Sequence, residues 1–361
     1  MSTDFGSSLS LSRHDHDRDS ASRAQVGHLD DVWNLDSTRV FLIRGSKTLG
    51  RVVVGESGDD QLRVAFFSPN DVRQLNIDVV ERVYLGKANE EPTSEPTHFV
   101  ALIVDAEQHV ETENLTAFQL LTQGEQIPVT RSRTSVGAEN TVPDSHDVQL
   151  EWADLRVWGH AMTDRETGLF TQALALANWH VSHRFSPTTG EPTESTSSGW
   201  VRTTPSNRQL FPRTDVAIIV LVTDDQDRIL LGNNAMWEPN RYSLLAGFVD
   251  PGESLEAAVQ REVREEAGLD VDRIEYMGSQ PWPFPASLMV GFVARLGADV
   301  DAAILHPDGE EILSLRWFTR DQLSAALDDV VLPGRTSIAR ALIEHWFGAS
   351  LDQNAVWLGN R

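Results

Sequence analysis

The chain has 361 residues, more than one hydrophobic core usually serves, so two domains with connecting material are expected. Acidic residues number 54 against 30 basic, a formal net charge of -24, so the averaged field repels polyanions and a small anionic ligand needs a metal ion or a local cationic pocket. With no cysteine the chain has no disulfide, thiolate metal site or thiol nucleophile, no run approaches the roughly 20 apolar residues of a membrane span, and the Asp-containing N-terminus lacks the apolar core of a secretory signal, which makes the cytoplasm the expected compartment.

Residues 1–34 are polar, Ser-rich and without apolar periodicity, and read as a disordered tail in which His14, His16 and His28 are solvated. A mostly β domain is expected over 35–162, with strands between Thr38 and Val54 and at THFVALIVDAE, and a long loop over 131–147. A linking helix follows Thr163, with Leu169, Ala173, Leu176 and Ala177 at helical spacing. It leads into a Ser/Thr/Pro/Gly-rich stretch at 186–208, and the linking region is taken as 163–213. The second domain, 214–361, opens with VAIIVLVTDDQDRILLG, a strand, an Asp-rich turn and a second strand.

The chemistry concentrates in GFVDPGESLEAAVQREVREEAGL, which begins at Gly247. Ser254 is a good helix N-cap and Gly268 a helix stop, giving a helix over about 254–267 with the apolar stripe Leu255, Ala258, Val259 and Val263. Glu262, Glu265 and Glu266 stand at i, i+3 and i+4, so three carboxylates share one face within reach of a common centre. An acidic helix taken alone is more often a solvated face balanced by bases such as Arg261 and Arg264. The spacing overturns that reading, because the order G-x(5)-E-x(7)-R-E-U-x-E-E-x-G-U, with U aliphatic, is matched throughout and resembles the Nudix box.

Oxygen-only ligands suit hard Mg²⁺ or Mn²⁺, which bridge substrate phosphates and activate water for displacement at phosphorus. The resemblance implies metal ligation by Glu262, Glu265, Glu266 and the backbone carbonyl of Ala246, with Glu265 or Glu266 as general base. Glu253 and Arg261 are expected to pair and hold the loop on the helix.

Beyond the box comes SQPWPFPASLM, Ser279 to Met289, in which three prolines alternate with Trp282 and Phe284. Such a string is expected to be a stiff loop rather than a regular central strand, with aromatic faces suited to stacking on a heterocycle. It resembles the signature of the NADH pyrophosphatase family of Nudix hydrolases, as do DLRVWG, LFTQALALANWHVSHRF, LFPRTDVAIIV, LLAGFVDPGE and LPGRTSIARALIEHW in the same order, covering about residues 150–348. The implied fold is α+β: a C-terminal Nudix α/β/α sandwich, a mostly β N-terminal domain and a degenerate zinc-ribbon segment between them. The implied reaction is metal-dependent cleavage of NAD(H) to AMP and nicotinamide mononucleotide by a homodimer.

The same resemblance places Phe248 against adenine and Gln280, Pro281, Trp282, Pro283, Phe284, Pro285, Ala286 and Ser287 along the dinucleotide. It makes Glu311 a metal ligand outside the box and gives Arg156 and Ala339 substrate contacts. The family's four zinc cysteines correspond here to Ser186, Thr189, Thr203 and Ser206, and His180 and His183 alone do not complete a tetrahedral site, so no zinc is expected. Phe211 stands where a substrate-contacting tyrosine is common. The rival readings are a Nudix hydrolase of ADP-ribose or a diadenosine polyphosphate, against which the proline-aromatic string argues, and a non-catalytic NAD or ADP-ribose sensor, against which the full set of carboxylates argues. The resemblance also implies removal of an NAD cap from RNA, with capped RNA disfavoured against the free dinucleotide by the net charge.

Overall fold

In the computed structural model, residues 5–55, 58–75, 77–89, 94–107 and 150–351 are described, so the expected loop at 131–147 lies outside them. The chain divides into two compact units, Met1–Arg13 with Thr214–Arg361, and His14–Arg213. Among the described residues no helix is long and apolar enough to cross a membrane.

The His14–Arg213 unit contains helices α1 (Ser20–Arg23) and α2 (His28–Trp33), strands β1 (Thr38–Arg44), β2 (Lys47–Val54) and β3 (Asp60–Val64), and helix α3 (Pro69–Gln74). Strands β4 (Val79–Ala88), β5 (Thr97–Val104) and β6 (Glu151–Asp154) follow, then helices α4 (Leu155–Trp158) and α5 (Asp164–Ser182). The sheet runs β3-β2-β1-β5-β4, with β6 on β2 and β1 parallel to β5. Its core gathers Val40, Leu42, Leu49, Tyr84, Val100 and Leu102. Helix α5 starts on a reciprocal cap between Thr163 and Glu166, and Leu169, Ala173, Leu176 and Ala177 are all buried, as their spacing requires.

Residues 14–34, read from composition as disordered, are instead tied into this unit. Asp17 exchanges two backbone hydrogen bonds with Lys87, and the buried Asp19 accepts from Ser22, Tyr84 and Lys87. His28 packs edge-on to Tyr84 and His16 bonds Gln172, so neither is a solvated tail histidine. Polar contacts hold its first half, while Leu29, Val32 and Trp33 of α2, at i, i+3 and i+4, pack on the core, a stripe too short to stand out in the composition.

Strands β7 (Glu194–Thr196), β8 (Val201–Thr203) and β9 (Gln209–Leu210) form a three-stranded sheet in the stretch where the resemblance implied a degenerate ribbon. There the Thr189 and Ser206 hydroxyls both donate to Glu191 Oε2, at 2.8 and 2.6 Å. Ser206 shares its second contact with Thr204, not Thr203, whose hydroxyl meets Thr196 across the strands. His180 is buried with both ring nitrogens engaged, Nε2 with the Gly199 carbonyl and Nδ1 with Arg202 Nη1.

The C-terminal unit has strands β10 (Asp215–Thr223), β11 (Ile229–Asn234) and β12 (Leu245–Phe248), helix α6 (Leu255–Ala267), and strands β13 (Val271–Trp282), β14 (Ser287–Leu296) and β15 (Ile312–Phe318). Helices α7 (Arg320–Ala325) and α8 (Ile338–Phe347) complete it. The sheet runs β13-β14-β10-β11-β15, with β12 on β10 and β10 parallel to β14. Alternation along β10 feeds two cores: Ile218, Val220 and Val222 meet Ala258, Val259 and Val263 of α6, while Ile219 and Leu221 meet Ile338, Leu342 and Ile343 of α8. A helical layer on each face gives the expected α/β/α sandwich.

Two short 3-10 turns, Phe5–Ser8 and Ser10–Ser12, also belong to this unit, with Leu9 and Leu11 buried, so this stretch too departs from the expected disordered tail.

Burial holds the His180 imidazole down to about 4, while the unfolded chain takes up the proton near the ordinary 6.5. Between these values the unfolded state binds more protons, so folding stability falls as pH drops from 6.5 to 4, by on the order of 3 kcal/mol at most. The His180 ring also faces Glu81, Arg202 and His183, so the histidine's own part is isolated by variation. Denaturant midpoints followed by tryptophan fluorescence should decline across that window in the wild type and less steeply in His180→Gln; equal slopes would refute the assignment.

Candidate functional site

Helix α6 begins on Ser254, whose hydroxyl accepts from the Ala257 N–H, and ends on Gly268 in the left-handed conformation. Burial of Ala258, Val259, Val263 and Ala267 fixes its rotation about its axis. Glu262 and Glu266 are thereby turned toward β12, and Glu266 is only 4% exposed. Glu265, the third carboxylate of the expected face, is left on the exposed rim.

Arg261 organises the loop and the helix together. Its Nε and Nη2 grip both oxygens of Glu253 at 2.9 Å, Nη1 reaches Glu262 at 2.7 Å and Glu265 at 3.0 Å, and Nη2 also donates to the Phe248 carbonyl at 2.9 Å. Hydrogen bonding to Arg261 holds the Glu253 carboxyl below its ordinary range and raises the arginine's own affinity for its proton. Gly247 is required where the chain passes Glu262, because an added Cβ would overlap that carboxylate.

Glu266 is placed against charge of its own sign. Burial first, then Glu262, Glu311 and Asp308, push its carboxyl up to about 9, against a backbone hydrogen bond from Ala246 that lowers it. Burial likewise raises Glu262. Glu266 Oε2 is buried without a hydrogen-bond partner among the described residues. Among those residues no three His, Asp or Glu side chains are gathered closely enough to enclose an ion as they stand, since Arg261 holds Glu262 and Glu265. An orphaned carboxylate oxygen among further carboxylates nevertheless fits the donor chemistry of a hard divalent cation, whose charge offsets the mutual repulsion.

A cavity of about 210 Å³ adjoins Glu266. Ala246, Glu266, Trp282, Glu311 and Ala339, all singled out in the sequence, line it together. Asn234, Trp237, Arg241, Tyr242, Met289 and Ser337 line it as well and were not foreseen; the only hint was the aromatic, aperiodic run WEPNRYSLL before the box. Phe248 is exposed at the end of β12, and Arg156 lies half-buried on α4 of the other unit, so neither lines the cavity.

The expected stiff loop is mostly a hairpin. Ser279, Gln280, Pro281 and Trp282 pair with Val290, Met289, Leu288 and Ser287, and only residues 283–286 turn, with a cis bond between Phe284 and Pro285. Pro281 is accommodated because β13 is an edge strand of the sheet. Trp282 packs edge-on against Phe284, with ring centroids 5.0 Å apart. Gln280 and Pro283 are buried, and of residues 280–287, which the sequence reading set along the ligand, Trp282 alone lines the cavity.

Asp308 was also missed, though its Asp-Gly pair is a readable turn. One of its oxygens, Oδ1, accepts the N–H groups of Glu310, Glu311 and Ile312 at 2.9, 2.9 and 2.8 Å, which fixes the bend that carries Glu311. Glu311 Oε1 in turn accepts from Asn234 Nδ2 at 3.3 Å.

A matching NUDIX domain model spans residues 213–341. The fold and the box thus define a Nudix-domain protein. Among similar curated proteins is the NAD-capped RNA hydrolase NudC of Mycobacterium bovis (strain BCG / Pasteur 1173P2), 48% identical over 211 residues, 55% of this chain and 66% of that protein. Its namesake in Mycobacterium tuberculosis (strain ATCC 25177 / H37Ra) is 47% identical over the same shares. The NAD-capped RNA hydrolase NUDT12 of Homo sapiens is 36% identical over 200 residues, 51% of this chain and 42% of that protein. The chain spans just under two thirds of the mycobacterial relatives' length. Over the matched span the chain carries a Nudix domain and is similar to these proteins.

Removing the Asp308 carboxylate frees the bend under Glu311. Asp308→Ala is expected to accelerate amide exchange at residues 310–312 at least about 10-fold, while Asp308→Asn, which keeps an acceptor oxygen, stays near wild type. Hydrogen exchange read by mass spectrometry checks this, and equal behaviour of the two variants would remove the role.

Proposed function

We propose that the protein hydrolyses the pyrophosphate bond of NAD(H), giving AMP and nicotinamide mononucleotide. One observation carries the reading: a single cavity joins an acidic wall, Glu266 and Glu311, to an aromatic and apolar wall, Trp282, Met289 and Ala339. The acidic wall suits a metal-bridged diphosphate and the apolar wall a heterocycle.

Glu262, Glu266 and Glu311, with the Ala246 carbonyl, are the groups that would hold Mg²⁺ or Mn²⁺, which when bound neutralises the diphosphate and acidifies a water. Glu266, on the cavity wall, is the stronger candidate base. Glu265 is drawn outward by Arg261 and is the weaker one. Arg261 holds Glu262 in register with the Phe248 carbonyl, so the acidic helix and the β12 end keep one spacing during turnover. Phe248, exposed beyond the box glycine, offers a ring face to adenine.

Glu266→Gln and Glu262→Gln are each expected to lower turnover at least about 100-fold with the fold intact. EDTA is expected to abolish activity and Mg²⁺ or Mn²⁺ to restore it. Retained activity in both variants, measured by phosphate release after phosphatase treatment of the AMP, would overturn the mechanism.

The relatives named as NAD-capped RNA hydrolases support the same bond cleavage on a longer substrate. A capped RNA lays successive phosphates along the protein, and binding them draws on Lys and Arg, whereas this chain has 54 acidic and 30 basic residues. Free NADH is therefore expected to give the higher kcat/KM when compared at physiological salt with an NAD-capped oligonucleotide of about 40 nucleotides. An equal or higher value for the capped RNA would show that a local basic path outweighs the net charge.

A further inference from the structure

We infer that the segment from Phe5 to Ser12 is a working strap of the Nudix unit, and that the buried Gln280 is a positioning residue through which the strap holds two walls of the cavity. The inference rests on the reading of that cavity as the dinucleotide site.

The strap is anchored at several points. Leu9 is 0% and Leu11 2% exposed, and Leu9 joins the core with Ile219, Ile338 and Leu342. Phe5 meets the His345 ring edge-on at 5.3 Å. The Ser12 hydroxyl donates to the Ser279 carbonyl at 2.8 Å, and the Ser10 hydroxyl to the Arg335 carbonyl at 3.3 Å. Gly6 passes so close to Gly278 that a Cβ there would lie 2.9 Å from Gly6 Cα. Surface burial alone would need none of these directed contacts.

Gln280 sits where the strap meets both walls. Its Oε1 accepts from the Leu11 N–H at 3.4 Å, and its Nε2 donates to the Thr336 carbonyl at 3.0 Å. It is not among the residues that line the cavity. Two residues along its own strand, however, Trp282 lines the cavity, and directly after Thr336 come Ser337, the N-cap of α8, and Ala339, which also line it. One amide therefore sets the separation between the hairpin wall and the first turn of α8. Without it, the Leu11 N–H and the Thr336 carbonyl each lose this buried partner, and the walls keep the apolar packing of α8 on the sheet but lose their directed tie.

The test uses the full-length chain. Gln280→Met keeps the volume and removes both hydrogen bonds; it is expected to raise KM for NADH about 10-fold while kcat falls less than about threefold, because the α6 carboxylates are untouched. Without substrate, amide hydrogen exchange should accelerate at residues 336–340 and 9–12 together. The double variant Leu9→Ala, Leu11→Ala, which loosens the strap itself, should accelerate the same amides. A Gln280→Met protein with lowered Tm but wild-type KM and wild-type exchange at 336–340 would overturn the inference, leaving Gln280 a packing residue only. Should Gln280→Met fail to fold, Ser12→Ala, which removes only the bond to Ser279, gives the same exchange readout. If the wild type does not split NADH, the activity reading falls while the exchange result still decides the strap.

Discussion

The arrangement of the site depends on how one guanidinium distributes negative charge. Arg261 gathers Glu253, Glu262 and Glu265 and caps the Phe248 carbonyl, so the loop before α6, the helix and the end of β12 are joined through one rigid planar group. Lysine, a point charge without the fork, would not satisfy that many acceptors in fixed directions. Those three carboxylates share Arg261 as a hydrogen-bond donor, whereas Glu266 is buried without that partner and faces Glu262, Glu311 and Asp308. Held up to about 9, its carboxyl keeps its proton at neutral pH, and a bound divalent cation would favour the charged form.

Around this centre each element has a positional duty. Alternation along β10 places α6 on one face and α8 on the other, so the acidic helix and the helix carrying Ala339 reach the cavity from opposite layers. The edge position of β13 admits Pro281 and lets the hairpin end in Trp282 at the cavity wall. Asp308 and Asn234 carry the same logic to Glu311, one fixing its backbone and the other touching its carboxylate.

Much of this was legible in the residues, for a reason that differs from place to place. Helix α6 is a local code: its cap, its stop and its apolar stripe lie within one stretch, so its bounds and the pairing of Glu253 with Arg261 followed from spacing. Spacing also put Glu262, Glu265 and Glu266 on one face, but a helical face is wide, and only the packing of Val259 and Val263 on the sheet decides that Glu266 goes inside and Glu265 to the rim. Prolines at 281, 283 and 285 argued for a loop because strand order, and with it the edge position of β13, is not written in a string. Residues 5–34 were the largest miss. Their order comes from Leu9 and Leu11, from the one-turn stripe Leu29, Val32 and Trp33, and from directed polar bonds such as Asp17 with Lys87, none of which makes a long periodic pattern.

The strap places a peculiar demand on synthesis. The chain leaves the Nudix unit at Arg13 and re-enters it at Thr214, with the other unit made in between. Ser10 and its acceptor on Arg335 are 325 positions apart, so at ribosomal speeds of roughly 5–20 residues per second the strap waits tens of seconds for its seat to exist. During that interval the intervening unit can complete its own core, while Leu9 and Leu11 stand in water with nothing to bury them. The strap can be seated only after β13 and the start of α8 have been made. Residues 9–12, though made before the other unit, thus wait for both, and a nascent chain halted short of α8 holds the acidic helix without Ala339 on the cavity wall.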